Sequence, residues 1–99
     1  MLPEIQFSSL ALADLKSISR YTVQTWGAEQ AVRYMNEIEE CIRQLADTPL
    51  IGRPCESIQQ GGRCMEQGRH VIFYRHSAGR IRVTSILHQR MLPKNHRVE

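Results

Sequence analysis

The sequence predicts an α+β domain of order β-α-α-β-β-β, in which a small antiparallel sheet packs on an α-helical hairpin. Three observations carry this. Two stretches with apolar residues at three- and four-residue spacing lie back to back, one ending at Trp26 and the next running from Ala28 to Asp47, with only Gly27 between them. Ile5-Gln6-Phe7 alternates ahead of them. Gly68–Met91 (GRHVIFYRHSAGRIRVTSILHQRM) alternates with period two about a short turn. Ninety-nine residues suit a single domain over 1–99, with one modest core that buries roughly two thirds of the unfolded surface.

Taken in order, Ile5-Gln6-Phe7 reads as a first strand. Ser8 or Ser9 then accepts hydrogen bonds from the free N–H groups of a helix, and Asp14 favours its positive end. Leu15, Ile18, Tyr21 or Thr22, and Trp26 form its buried stripe, with Trp26 in the hairpin core, and Gly27 supplies the left-handed position that ends it. The second helix buries Ala31, Tyr34, Ile38, Cys41 or Ile42, and Leu45. It presents Glu29/Arg33, Arg33/Glu37 and Glu39/Arg43 to solvent, each pair worth a few tenths of a kcal/mol. Thr48-Pro49 stops it, and Ile51 to Gly62 has neither period and reads as a loop of about a dozen residues. Arg63-Cys64-Met65-Glu66 reads as the second strand.

With Ser77-Ala78-Gly79 as a three-residue turn, His76 pairs with Arg80, Phe73 with Val83, Val71 with Ser85 and Arg75 with Ile81. One face then holds these apolar residues and Leu87. The other collects His70, Ile72, Tyr74, His76, Arg82, Thr84, Ile86, His88 and Arg90. Two helices cover only one side of a sheet, so this second face, with Tyr74 packed against Arg82, is expected to meet solvent or a partner.

Charge is uneven. Residues 1–49 hold four Lys/Arg against seven Asp/Glu (−3), and residues 50–99 hold nine against three (+6). A basic second half suits nucleic acid, an acidic protein segment or a generic solvated surface. The start, Met1-Leu2-Pro3-Glu4, lacks the pattern of a signal peptide, and no apolar run approaches the ~20 residues of a membrane span, so a cytoplasmic protein with no membrane association is expected. Cys41, Cys55 and Cys64 are expected as free thiols. The histidines, at 70, 76, 88 and 96, are too scattered for a metal site. No metal or cofactor is expected.

Several segments carry a resemblance: Ala13-Asp14-Leu15 with Ile18 and Tyr21; Trp26-Gly27 before Ala31 and Tyr34; Leu45-Ala46 with Pro49 and Gly52-Arg53; Gly68-Arg69-His70-Val71-Ile72-Phe73-Tyr74-Arg75; and Ile86-Leu87-His88-Gln89-Arg90-Met91. In order and spacing they resemble the ParE toxins of the RelE/ParE superfamily, the poison halves of bacterial toxin–antitoxin pairs. The resemblance implies the fold described above, poisoning of DNA gyrase by direct binding, growth arrest and neutralisation by a cognate antitoxin. Sequence-specific DNA binding is not implied, and higher-order toxin–antitoxin assembly is compatible with it. The superfamily's other branch cleaves messenger RNA in the ribosome, and for that activity Arg82, His88 and Arg90 are the candidate catalytic residues. Against it stand Gln89 after His88, where a His-Tyr ending is typical of some of those nucleases, the presence of only two lysines, and the continuation through Arg90-Met91. A third alternative is a partner-binding domain with weak or lost toxicity.

The expected target-binding residues are Arg63, Arg69, Arg82, His88 and Arg90. The expected antitoxin contacts are Leu10, Leu12 and Val23, off the main stripe of the first helix, and Ile72, Tyr74 and Ile86 on the second sheet face. Residues 92–99 read either as a flexible tail or as a basic target-binding element.

Overall fold

A hydroxyl, a carboxylate and one strand irregularity position everything else. The computed structural model describes residues 4–56 and 60–91. Strand β1 (Glu4–Phe7) leads into α1 (Ser9–Trp26) and α2 (Ala28–Asp47). After a 3-10 turn at Pro49–Ile51 come β2 (Arg53–Pro54), β3 (Arg63–Gln67), β4 (His70–Ser77) and β5 (Arg80–His88), and a last 3-10 turn at Gln89–Met91. The five strands form one sheet in the order β1-β5-β4-β3-β2. The expected α+β class and element order are present, with two differences. The segment read as structureless contributes β2 to the sheet edge. β1 also runs parallel to β5, with Ile5 opposite Ile81 and Phe7 opposite Val83, so the sheet is mixed. A parallel pair needs a long connection, and all of α1 through β4 lies between these two strands.

β1 pairs with β5 only as far as Phe7. Beyond that point α1 takes over the free edge of β5. The Ser8 backbone N–H donates to Val83 O at 3.0 Å. Its hydroxyl donates to Thr84 O at 2.8 Å and accepts the Ala11 N–H at 2.9 Å, which caps the helix. One turn later Asp14 Oδ2 accepts the Ile86 N–H at 2.9 Å. Asp14 therefore serves the strand edge rather than the helix terminus. Gly27, at φ 94°, ends α1 and its carbonyl opens α2, giving the expected hairpin. Ile18 and Thr22 are buried along α1, whereas Tyr21 and Trp26 stand exposed. The expected burial of Trp26 does not occur: it lies at the hairpin tip, 63% exposed, at the rim of a cleft beside the β3–β4 turn. On α2 the stripe Ala31, Ile38, Cys41, Ile42 and Leu45 is buried as expected, with Tyr34 half-buried. Arg43 pairs with Glu39 at 3.1 Å and Glu40 at 3.4 Å; all three are exposed, so the contribution is small.

The β4–β5 hairpin corrects the expected register. The turn is the two-residue Ala78-Gly79, both at positive φ (42° and 80°), as a primed hairpin turn requires. Ser77 therefore faces Arg80, His76 faces Ile81, and Tyr74 faces Val83. The register then shifts between Phe73 and Tyr74, and Phe73 faces Ser85, Ile72 faces Ile86 and His70 faces His88. Thr84 is the extra residue of this bulge, and its hydroxyl donates to Phe73 O at 3.1 Å. Because side chains alternate across a strand, one inserted residue changes which ones share a face. Ile81 and Val83 join Ile72, Tyr74 and Ile86 against the helices, in a core with Ile18, Ile38 and Leu45. Val71 and Phe73 fall on the opposite face, where Cys55 and Cys64 pack on them and Leu87 flanks the cluster. The expected pairing of Tyr74 with Arg82 is absent: Arg82 lies opposite Arg75, whose guanidinium donates to Gln60 O.

Tyr74 is fully buried and ties the crossover to the sheet. Its hydroxyl donates to Pro49 O at 2.6 Å and accepts the Gly52 N–H at 3.1 Å. The backbone comes so close at Gly52 that an added Cβ would lie 2.5 Å from that hydroxyl and 2.7 Å from Cys64 O. Arg63 adds bonds from its guanidinium to Gly52 O (Nη2, 2.6 Å) and Leu50 O (3.2 Å), and Arg53 pairs with Glu66 at 2.5 Å. Contrary to the expectation of free thiols, Cys55 and Cys64 form a disulfide across the β2–β3 edge, with Cα atoms 5.9 Å apart. Only Cys41 remains a thiol, and burial raises its pKa above the ordinary value. Among the described residues no helix is long and apolar enough to cross a membrane.

Two substitutions test the clasp around Tyr74. Tyr74→Phe leaves a buried N–H and C=O without their partner and is expected to destabilise by about 1–3 kcal/mol in urea unfolding. Gly52→Ala is expected to cost at least as much, because the new methyl must displace Tyr74 or the β3 backbone. Unchanged midpoints for both would contradict the clasp.

Candidate functional site

The bulge places His70 of β4 and His88 of β5 opposite each other, where the sheet meets the helical hairpin. Their rings lie edge to face with centroids 5.2 Å apart. Tyr34 of α2 reaches the same point. Its hydroxyl lies 2.7 Å from His70 Nδ1 and 3.1 Å from Gln67 O, and it accepts the Arg69 N–H at 3.2 Å. A phenol has one proton and two acceptor sites, so all three neighbours are satisfied together when His70 Nδ1 carries a proton and donates to the oxygen, leaving the phenol proton for Gln67 O. The β3–β4 turn fits beneath this ring because Gly68 has no side chain. Its φ is 60°, and an added Cβ would lie 2.7 Å from the Tyr34 hydroxyl.

Burial sets the electrostatics. It raises the Tyr34 pKa, the Arg69 N–H contact opposing, and keeps the phenol protonated. It lowers the His70 pKa below the ordinary 6.5, with the neighbouring His88 adding in the same direction. His88 accepts the Arg90 N–H on Nδ1 at 3.0 Å, and the Gln89 N–H donates to Arg69 O at 2.9 Å. The closing 3-10 turn is thus fastened to the β3–β4 turn, bringing Arg69 and Arg90 to either side of the histidines. Two adjoining clefts of about 400 and 340 Å³ open there and share Tyr21, His70 and His88. The first adds Asp14, Arg90 and Met91; the second adds Trp26, Tyr34 and Arg69.

Of the expected target-binding set, Arg69, His88 and Arg90 come together at this end. Arg63 is held on the Leu50 and Gly52 carbonyls, and Arg82 stands exposed on the other face of the sheet. Arg82 therefore does not line the clefts with His88 and Arg90, as a shared nuclease centre would require. Leu10, Leu12 and Val23 are exposed on α1, whereas Ile72, Tyr74 and Ile86 are 0%, 0% and 2% exposed. Their expected place on an uncovered face is corrected by the bulge. Tyr34, Tyr21 and Trp26 fall on the apolar stripes of the two helices in the sequence, and no local pattern tells a stripe residue from a rim residue at a hairpin tip. Chemically the site offers two imidazoles, each with one nitrogen committed, between two guanidinium groups. Among the described residues no group of three His, Cys, Asp or Glu is placed to hold a metal. Residues 92–99, with His96, lie outside the described residues.

The lowered His70 pKa has a stability consequence. The unfolded chain takes up a proton near pH 6.5 and the folded chain resists it until lower pH, so stability is full above that value and is lost as pH falls through this window. His70→Gln is expected to flatten that loss in urea unfolding measured between pH 7.5 and 5. An unchanged slope would contradict the assignment. Among the described residues, the charged and titratable neighbours are Asp14, Tyr21, Tyr34, Arg69, His88 and Arg90.

Comparison with known proteins agrees with this architecture. Residues 5–93 match the family described as ParE toxin of type II toxin-antitoxin system, parDE. Toxin ParE1 of Caulobacter vibrioides is 38% identical over 91 residues, covering 92% of this chain and 94% of that protein. Toxin ParE1 of Mycobacterium tuberculosis is 41% identical over 85 residues, covering 85% and 87%. A chain from the chromosomal ParDE toxin–antitoxin structure of P. aeruginosa superimposes with a TM-score of 0.74 at 22% identity, covering 88% of this chain and 96% of that one, which speaks for the fold. The chain belongs to the ParE toxin family of type II toxin–antitoxin systems.

Proposed function

We propose that this toxin arrests growth by binding DNA gyrase through the basic end formed by Arg69, His88 and Arg90, and that a cognate antitoxin neutralises it. Family membership supports the first part. The observation that carries it is the convergence of these three side chains, from the β3–β4 turn, the end of β5 and the closing 3-10 turn, around open clefts. Binding needs only the charge of the two arginines and the position of all three side chains. Arg82 no longer belongs with them, which leaves a ribonuclease reading without one of its three candidate groups.

An antitoxin has two apolar surfaces available. Val23 and Val32 line a shallow groove across the helical hairpin, and Leu12 stands exposed on α1. Ile5, Phe7, Leu15, Met35, Ile38 and Ile42 line a cleft of about 330 Å³ beside β1, an edge strand whose outer backbone groups can accept an added strand. Leu10, Leu12 and Val23 remain the proposed antitoxin contacts on α1. Ile72, Tyr74 and Ile86 are interior and cannot meet the antitoxin.

Induced expression with parallel readouts of chromosome breakage and transcript integrity tests the reading. Filamentation with DNA breaks and intact transcripts is expected, and cleaved transcripts with unbroken DNA would contradict it. The Arg69→Ala/Arg90→Ala chain is expected to bind gyrase about tenfold or more weakly, mainly through slower association.

A further inference from the structure

Tyr21 and Trp26 are 60% and 63% exposed. Both lie on the hairpin face turned toward the histidine end, where they line a cleft with Arg69, His70 and His88. Two such rings exposed together on one cleft form a patch that invites a ligand, where a single exposed ring would not. The adjoining cleft adds Arg90. Among the described residues, the one acidic side chain in either lining, Asp14, has an oxygen committed to the Ile86 N–H. Cations around exposed rings make up a surface that holds phosphates by charge and bases by their π-faces.

We propose that this cleft binds single-stranded nucleic acid without reading its sequence, with phosphates on Arg69, Arg90 and His88 and a base stacked on Tyr21 or Trp26. An acidic peptide would account for the arginines but leave the two rings without a role. A duplex keeps its bases stacked inside and could offer the rings nothing. Clefts of about 340 and 400 Å³ are of the size that takes a small ligand such as a nucleoside. Stacking and charge are common to every base, so no sequence preference arises from these groups. The inference goes beyond the gyrase reading while using the same end of the molecule.

Trp26 is the only tryptophan in the chain, so its emission reports directly on the cleft. Titrating the purified chain with short oligothymidylate or oligouridylate is expected to quench Trp26, with affinity falling as salt rises by a log–log slope of about −0.7 per phosphate held. Tyr21→Ala is expected to weaken binding about fivefold to a hundredfold, and Arg69→Ala/Arg90→Ala about tenfold or more with a shallower salt slope. Arg80→Ala, which removes a cation paired with Glu4 at the far end of β5, is expected to leave binding unchanged; circular dichroism confirms that each variant is folded. Binding of either oligonucleotide with this pattern supports the proposal. Four outcomes overturn it: no quenching, an equal loss in Arg80→Ala, equal affinity for duplex, or equal affinity for a polyglutamate peptide of matched charge. Gyrase-mediated DNA cleavage measured on the same preparations reads the gyrase proposal separately. Inhibition retained without oligonucleotide binding overturns this inference alone.

Discussion

The structure depends on one inserted residue. Between Phe73 and Tyr74 the pairing of β4 with β5 slips by one, with Thr84 as the unmatched residue. Above the slip, Tyr74 and Val83 point at the helices; below it Ile72 and Ile86 do, and the strands end with His70 facing His88. Continuing the upper register would set His70 against Leu87 and turn half of each strand to the wrong side. The bulge also frees the Thr84 carbonyl for the Ser8 hydroxyl, which caps α1. One irregularity thus sets the core, the start of the first helix and the geometry of the histidine pair.

Much of the fold was legible because it rests on strong local signals. The stripe Ala31, Ile38, Cys41, Ile42, Leu45 made α2 readable, Gly27 set the hairpin, and alternation from His70 to His88 set the last two strands. What escaped was tertiary. Ala78 at positive φ is an uncommon choice for a residue with a side chain, so the turn was read one residue too long. Nothing around Thr84 announces a bulge. Those two errors together assigned Ile72, Tyr74 and Ile86 to the surface. The Cys55–Cys64 pair was equally hidden, because it depends on β2, a two-residue strand without a sequence pattern.

Arg69, His88 and Arg90 were legible as basic residues, but their convergence was not. It arises from the backbone hydrogen bond from Gln89 N–H to Arg69 O, which fastens the closing 3-10 turn to the β3–β4 turn, and from the close fit of Gly68 under Tyr34. The same corrections divide the surface by task. The interior hydroxyl of Tyr74 holds the crossover in place. The exposed apolar residues of the hairpin and the free edge of β1 are the surfaces proposed for a protein partner, and the basic and aromatic end is the one proposed for the target.

The register of β4 against β5 is the claim on which the rest stands, and cross-strand nuclear Overhauser contacts measure it directly. Backbone contacts from Tyr74 to Val83 together with contacts from His70 to His88 are predicted, because only a slip between them permits both. An unbroken ladder, with His70 against Leu87 or Ile86, would contradict the account and with it the placement of the site.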